Sequence, residues 1–188
     1  MEVQVLLATP LVIVMKLLVI DVQKALVVDD LYHRDVFLKN VTKLIKTARK
    51  HNVEVIHIQH DAGEGTGFSI GDEGFEIMEQ IKPLSNEKVF VKTINSAFGN
   101  KVFEQYLLDS HDHELMVIGL QTEFCIDATI KSAFERGYQV IVPNGANSTF
   151  DNDYLDAKAT INYYQKWIWQ GVFANCVSLK VAIGLLER

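Results

Sequence analysis

The segment from Leu115 to Thr129 changes period in its middle, and that change constrains the chain more than any other feature. Leu115-Met-Val-Ile-Gly119 is a short, unbroken apolar run, the pattern of a parallel strand buried on both faces. From Ile126 onward the apolar residues Ile126, Ile130, Ala133 and Phe134 recur at helical spacing. Cys125 therefore stands where a strand's carboxyl end turns into a helix. The unpaired N–H groups of a helix start form an anion site, and the helix dipole favours thiolate over thiol. A nucleophile is well placed there, although a single free cysteine is more often a small buried hydrophobe.

The same alternation runs through the rest of the sequence. Leu17 to Ile20 is a short strand closed by Asp21, and a loop follows to about Asp30. Phe37, Leu38, Val41, Leu44, Ile45 and Ala48 then predict a crossover helix from Asp35 that stops at Asn52. Val53 to Ile58 reads as a strand, Gln59 to Asp72 as a glycine-rich loop, and Ile77 to Ile81 as a short helix ended before Pro83. Lys88 to Val91 is a third strand, closed by Lys92, with a helix through Phe103, Leu107 and Leu108 after it. The helix beyond Cys125 stops at Gly137, and Gln139 to Pro143 is a fifth strand. Tyr154 to Tyr164 reads as helix, Gly171 to Phe173 as a sixth strand, and Ser178 as the cap of a last helix. This order predicts an α/β fold of three layers, α/β/α and Rossmann-like, around a six-stranded, mostly parallel sheet.

Composition narrows the class of function. The 188 residues are 48% hydrophobic, which suits one domain with a sizeable core. A net charge of −6 without a run of Lys or Arg argues against nucleic acid and against an anionic membrane as partners, and points to a small molecule. Two distant cysteines, Cys125 and Cys176, read as reduced thiols in a cytoplasmic protein. Residues 1–14 are mostly apolar but begin Met-Glu-Val-Gln, unlike a secretory signal, and Lys16 and Asp21 interrupt the apolar stretch short of a bilayer's needs. They are expected to be an extension ahead of a domain spanning residues 15–188.

In a parallel sheet, ligand chemistry gathers at the carboxyl ends of the strands, near the point where strand order reverses. Asp21, Lys92 and Cys125 all sit at or just beyond such ends. Together they make sense: Asp21 as base, Lys92 as the cation that holds the thiolate and orients the base, and the N–H of Cys125 with one near Gln121 as an oxyanion hole. An aspartate of ordinary pKa is a poor base for a thiol near 8.5, so burial must raise the first or Lys92 and the helix dipole must lower the second.

The strings Leu-Val-Ile-Asp21-Val-Gln23, Lys92-Thr-Ile-Asn-Ser96-Ala97-Phe98 and Gly119-Leu-Gln-Thr122-Glu-Phe-Cys125-Ile-Asp-Ala-Thr129 resemble the isochorismatase-like cysteine hydrolases, relatives of nicotinamidase and N-carbamoylsarcosine amidase. The resemblance runs from about residue 15 to the C-terminus. It implies a catalytic triad of Asp21, Lys92 and Cys125, a cis peptide at Leu120-Gln121 serving the oxyanion hole, and hydrolysis of an amide or related carbon–nitrogen bond through a cysteine thioester. It implies a dimer or larger homo-oligomer as well. Family members that cleave isochorismate, a vinyl ether, lack the cysteine, so that reaction is disfavoured. Gln23, His60, Phe98 and Phe124 are expected to line the substrate pocket.

Departures from the family pattern refine this. Nicotinamidases carry Asp-x-His and further histidines after the second strand for a divalent metal, whereas this chain has Gln59-His60-Asp61-Ala62. His57, His60 and Asp61 do not share one face of an extended chain, so no metal and no cofactor are expected. Gly63, Gly65 and Gly67 lack the spacing of a dinucleotide fingerprint and read as a loop over the pocket. Cys176 reads as core, and Tyr163, Tyr164, Trp167 and Trp169 as a packing or subunit-contact cluster.

Overall fold

A computed structural model describes residues 15–110 and 112–188. The expected extension, residues 1–14, lies outside them. Strand β1 (Met15–Ile20) is buried along its whole length, and its side chains alternate between two cores. Leu17 and Val19 join the core under α1 (Arg34–Lys50) and α5 (Leu179–Leu186). Leu18 and Ile20, with Ile56 and Ile58 of β2 (Glu54–His60), face α2 (Lys101–Ser110) and α3 (Asp127–Glu135). Burial on both faces is what makes these strands continuous apolar runs in sequence.

The sheet runs in the order β3 (Lys88–Lys92), β2, β1, β4 (Glu114–Leu120), β5 (Gln139–Pro143) and β7 (Asn175–Val177). Every pair is parallel, and a two-residue strand, β6 (Asn147–Ser148), pairs with the end of β4. The chain adds strands outward from β1 to β3, then returns to the other side of β1 with β4. Strand order therefore reverses between β1 and β4, the point from which Asp21 and Cys125 project. Gly119 makes that join possible: its φ is +127°, and a Cβ there would lie 1.9 Å from the Ile20 carbonyl oxygen. No helix among the described residues is long and apolar enough to cross a membrane.

Most predicted ends hold. Asn52 takes a left-handed φ of 59° just past α1, and Gly137 does so at 85° after α3, where Tyr138 N–H donates to the Ala133 carbonyl at 3.1 Å. Ser178 Oγ caps α5 by accepting from Val181 N–H. Three elements differ. Ile77 pairs with Gln23 in an isolated bridge, leaving only the 3₁₀ turn Glu79–Ile81 of the expected helix. Gly171 to Phe173 is a turn, Gly171 having φ +74°, and the edge strand is β7 just beyond it. The helix expected from Tyr154 begins as α4 (Ala157–Tyr163), capped by Asp156, and continues into a π-turn over Tyr164–Trp169.

Candidate active site

Each element contributes one polar group to the carboxyl edge of the sheet. Asp21 ends β1 with φ 54°, a left-handed conformation that Asp tolerates better than most residues, and its N–H stays bonded to the Ile58 carbonyl at 2.9 Å. Lys92 ends β3, two strands and about 10 Å from β1, a span that its long stem and the Asp21 side chain bridge together. Between them, β2 ends in His60, which is in register with Lys92. Cys125 lies in a π-turn over Thr122–Ile126 that joins β4 to α3.

Their side chains meet. Lys92 Nζ donates to Asp21 Oδ2 at 2.7 Å and to Cys125 Sγ at 3.2 Å, and lies 3.1 Å from His60 Nδ1. Asp21 is fully buried, Lys92 is 2% and Cys125 8% exposed. The second carboxylate oxygen, Asp21 Oδ1, is buried with no hydrogen-bond partner. Burial pushes the Asp21 pKa up, Lys92 opposing it only in part. Burial and then the Asp21 charge push the Cys125 thiol up to about 12, against the pull of Lys92. Burial thus raises both groups, and nothing here brings the thiol down to meet the carboxylate.

The supporting bonds explain the rest of the motifs. Ser96 Oγ accepts from Phe98 N–H and donates to Ser132 Oγ, while Thr129 Oγ1 accepts from Ala97 N–H at 3.0 Å, so the segment after Lys92 is fastened to α3. Thr122 Oγ1 donates to Asn147 Oδ1 at 3.0 Å, tying the cysteine turn to β6. The peptide Leu120-Gln121 is cis. Gln121 is half-buried and Phe124 is 49% exposed beside the cysteine.

Two of the expected pocket residues are buried. Gln23 is fully buried and brackets His60, donating to its carbonyl at 3.0 Å and accepting from its N–H at 2.7 Å. Phe98 is 3% exposed and packs against Phe103 and Tyr138, with the Arg136 guanidinium over its ring, because the 3₁₀ turn Ala97–Gly99 directs it into the core. Cys176 is partly buried against the same core and Trp169 is fully buried, but Trp167 is 73% exposed. Two neighbours were not expected. Phe68, from the glycine-rich loop, lies with its ring 5.6 Å from that of His60, and Asn95 Oδ1 is 3.8 Å from Cys125 Sγ. Asn95 lies three residues past the strand-end lysine, inside the string Lys92–Phe98 that carries the family resemblance.

His57, His60 and Asp61 do not gather a metal. His57 is buried against Glu87, and Asp61 accepts from Gly63 N–H in its own loop. The donor atoms that do converge belong to Asp21, His60 and Cys125, within 4.8 Å of one another. The Lys92 ammonium touches all three, so a metal ion there would meet a cation already bound to its ligands, and the residues do not fit one.

Comparison with known proteins agrees with this architecture. A family model described as "Isochorismatase domain" matches residues 15–170. Streptothricin hydrolase of Streptomyces noursei is 32% identical over 140 residues, covering 73% of this chain and 56% of that protein. The isochorismatase family protein YddQ of Bacillus subtilis is 32% identical over 142 residues, covering 73% of this chain and 79% of that one. The crystal structure of a putative hydrolase of the isochorismatase family from Chromobacterium violaceum superposes with a TM-score of 0.84 at 25% identity, covering 92% of this chain and 93% of that one.

Proposed function

Because this chain belongs to the isochorismatase family, we propose that it is a cysteine hydrolase that cleaves a carbon–nitrogen bond, of amide or carbamoyl type, in a small molecule. The observation that carries the reading is the single ammonium of Lys92 bonded to both a buried carboxylate and a buried thiol at the switch point of the sheet. Asp21 Oδ1 is the open acceptor for the thiol proton. As Cys125 Sγ attacks the carbonyl carbon, that proton passes to Asp21, and Lys92 stabilises the sulfur while it carries charge. The N–H groups of Cys125 and Gln121 receive the oxyanion. Protonated Asp21 then gives its proton to the departing nitrogen, leaving a thioester. A water deprotonated by Asp21 attacks the thioester, and collapse returns the proton to sulfur and releases the acid. A carboxylate of raised pKa suits both halves of this cycle, since it must hold a proton and then surrender it.

Relatives named as a streptothricin hydrolase, a nicotinamidase of Arabidopsis thaliana and a ureidoacrylate amidohydrolase of Yersinia enterocolitica support the bond type; the chain spans about half the length of the first of these. The test is release of ammonia or amine from a panel of small amides, ureido compounds and lactams, with intact-protein mass spectrometry of the quenched reaction. The expected result is a mass increment on Cys125 equal to the acyl group, absent in Cys125→Ala. Turnover retained by Cys125→Ala overturns the assignment.

A further inference from the structure

Strand β3 forms one edge of the sheet, and burial does little to fix where it sits along β2. Lys88 and Val89 are exposed, Phe90 and Val91 are half-buried, and only Lys92 is buried, so the apolar face that usually guards a strand's register is weak here. A slip of one residue would turn Lys92 to the other side of the sheet, and a slip of two would carry it about 7 Å along β2, away from Asp21 and Cys125. Asn100 Nδ2 donates to the Val91 carbonyl at 2.7 Å, but a backbone carbonyl is offered at every register.

The residue just ahead of the strand makes contacts that do tell one register from another. The Glu87 side chain is 6% exposed. Its Oε1 accepts from Arg49 Nε at 2.8 Å, and its Oε2 accepts from the Arg49 guanidinium at 2.9 Å and from Leu84 N–H at 2.9 Å. His57 Nε2 lies 3.2 Å from the same Oε2, and since a carboxylate only accepts, the imidazole donates there. Arg49 also donates to the Lys82 carbonyl at 3.0 Å, so α1, β2 and the loop before β3 all close on one carboxylate. Burial works against the charge of Glu87, but Arg49 and Leu84 N–H override it and its pKa is lowered. Burial, with Arg49, holds the His57 pKa down against the pull of Glu87, which keeps the ring neutral as its buried, unpartnered Nδ1 requires. A slip of β3 by two residues would bring Ser85 or Val89 to the place of Glu87 and leave the buried donors of Arg49 and His57 without a carboxylate. We propose that Glu87 is a positioning residue for the hydrolysis: through Arg49 and His57 it sets the register of β3, and so holds Lys92 against Asp21 and Cys125 from five residues, about 16 Å, away.

This role rests on Lys92 acting at the sulfur under the proposed mechanism, and its test reads that action without a known substrate. Modification of Cys125 and Cys176 by iodoacetamide is followed by mass spectrometry on the full chain at mildly alkaline pH, in the parent, Lys92→Ala, Glu87→Ala, Glu87→Gln and the double variant of Glu87→Ala with Lys92→Ala. A fold that is merely loosened exposes both thiols and speeds both reactions. Loss of the Lys92 charge from the sulfur does the opposite, and at Cys125 alone. Glu87→Ala is expected to slow Cys125 by about fivefold or more and to leave Cys176 within about twofold. The double variant is expected to be no slower than Lys92→Ala, because the two changes remove one and the same effect. Glu87→Gln, which still accepts from Arg49 and His57, recovers at least half of the parent rate. Glu87→Met, which fills the space without an acceptor for those donors, is read in the same way where Glu87→Ala does not fold. Cys125 unchanged or faster in Glu87→Ala, with Lys92→Ala slow, overturns the role of Glu87 and leaves Lys92 in place. A double variant well below Lys92→Ala shows Glu87 acting by another route and overturns it too. The parent's rate in Lys92→Ala overturns the action of Lys92 on the sulfur, and the positioning role with it.

Discussion

The two ends of the sheet bury the same kind of charge and treat it in opposite ways. At the amino end Lys16, 4% exposed, lies between the carboxylates of Glu54 and Asp112, with Tyr106 bonded to Glu54 and its ring 5.4 Å from the ammonium. Burial works against the charge of Lys16, but the bonds to Asp112 and Glu54 override it and its pKa is raised. At the carboxyl end one ammonium is shared among one carboxylate, a thiol and a neutral ring, and one carboxylate oxygen goes without a partner. An excess of anionic partners satisfies a buried cation and makes a fastening; a shortage of partners leaves a carboxylate hungry for a proton.

Substituting the two lysines should separate the ends most sharply. Under the proposed mechanism Lys92→Ala is expected to lower kcat/KM on any substrate found by about 10³-fold or more, since it removes the charge beside the attacking sulfur. Lys16→Ala should leave the same parameter within about threefold, because that group stabilises the fold and touches no reacting atom. Equal losses in steady-state kinetics would erase the distinction.

Equilibrium urea unfolding separates the two ends in another way. Lys16→Ala leaves two carboxylates close together without a cation, and a cost of about 2 to 3 kcal/mol is expected, below the usual figure for a broken buried pair because the Glu54 side chain is 29% exposed. Replacing the under-satisfied pair as a whole, with Asp21→Leu and Lys92→Met together, should leave Tm unchanged or raise it by a few degrees, since apolar isosteres often match a buried ion pair. A loss of more than about 3 kcal/mol in the double variant would show that the carboxyl-end cluster also holds the fold.

The pH dependence carries a smaller effect with a definite sign. The raised pKa of Lys16 means that its contribution is fully present below the unfolded value, near 10.5, and is lost as pH climbs through the folded one. The stability difference between the parent and Lys16→Met should therefore be constant at neutral pH and shrink only in the alkaline range, as followed by denaturant melts. The least disruptive measurement is the ultraviolet absorption of thiolate. With Cys125 pushed up to about 12 and Cys176 to about 11 by burial, none is expected near neutral pH in the folded protein. A thiolate band at neutral pH would mean that Lys92 outweighs burial at the sulfur.

Much of this was legible from pattern alone. Asp21, Lys92 and Cys125 stood out because a polar or reactive residue directly after a buried apolar run has to lie at a strand end, and parallel topology brings those ends together. The remaining parts of the cluster follow from register and turns, which carry no periodic signal. His60 meets Lys92 because β2 and β3 align them as cross-strand partners, and nothing in either strand fixes that alignment by itself. β6 is two residues long, too short for alternation to appear, yet Asn147 holds the cysteine turn. Gln23 and Phe98 belong to the motif strings, and their burial follows from a bracket around His60 for the first and a 3₁₀ turn for the second, neither of which has a periodic signal.

The Lys92 ammonium, shared among Asp21, Cys125 and His60, sets how the cluster answers its surroundings. Thiol, carboxylate and ammonium sum to zero charge, and so do thiolate, carboxylic acid and ammonium. The proposed first proton transfer therefore shifts a dipole by a few ångströms without importing or exporting charge across the protein boundary. Water outside has little to rearrange for such a step, and dissolved ions have no net charge to screen. An uncharged substrate entering this site would react at a rate nearly indifferent to ionic strength, so the chemistry would run alike in dilute and in salt-rich surroundings.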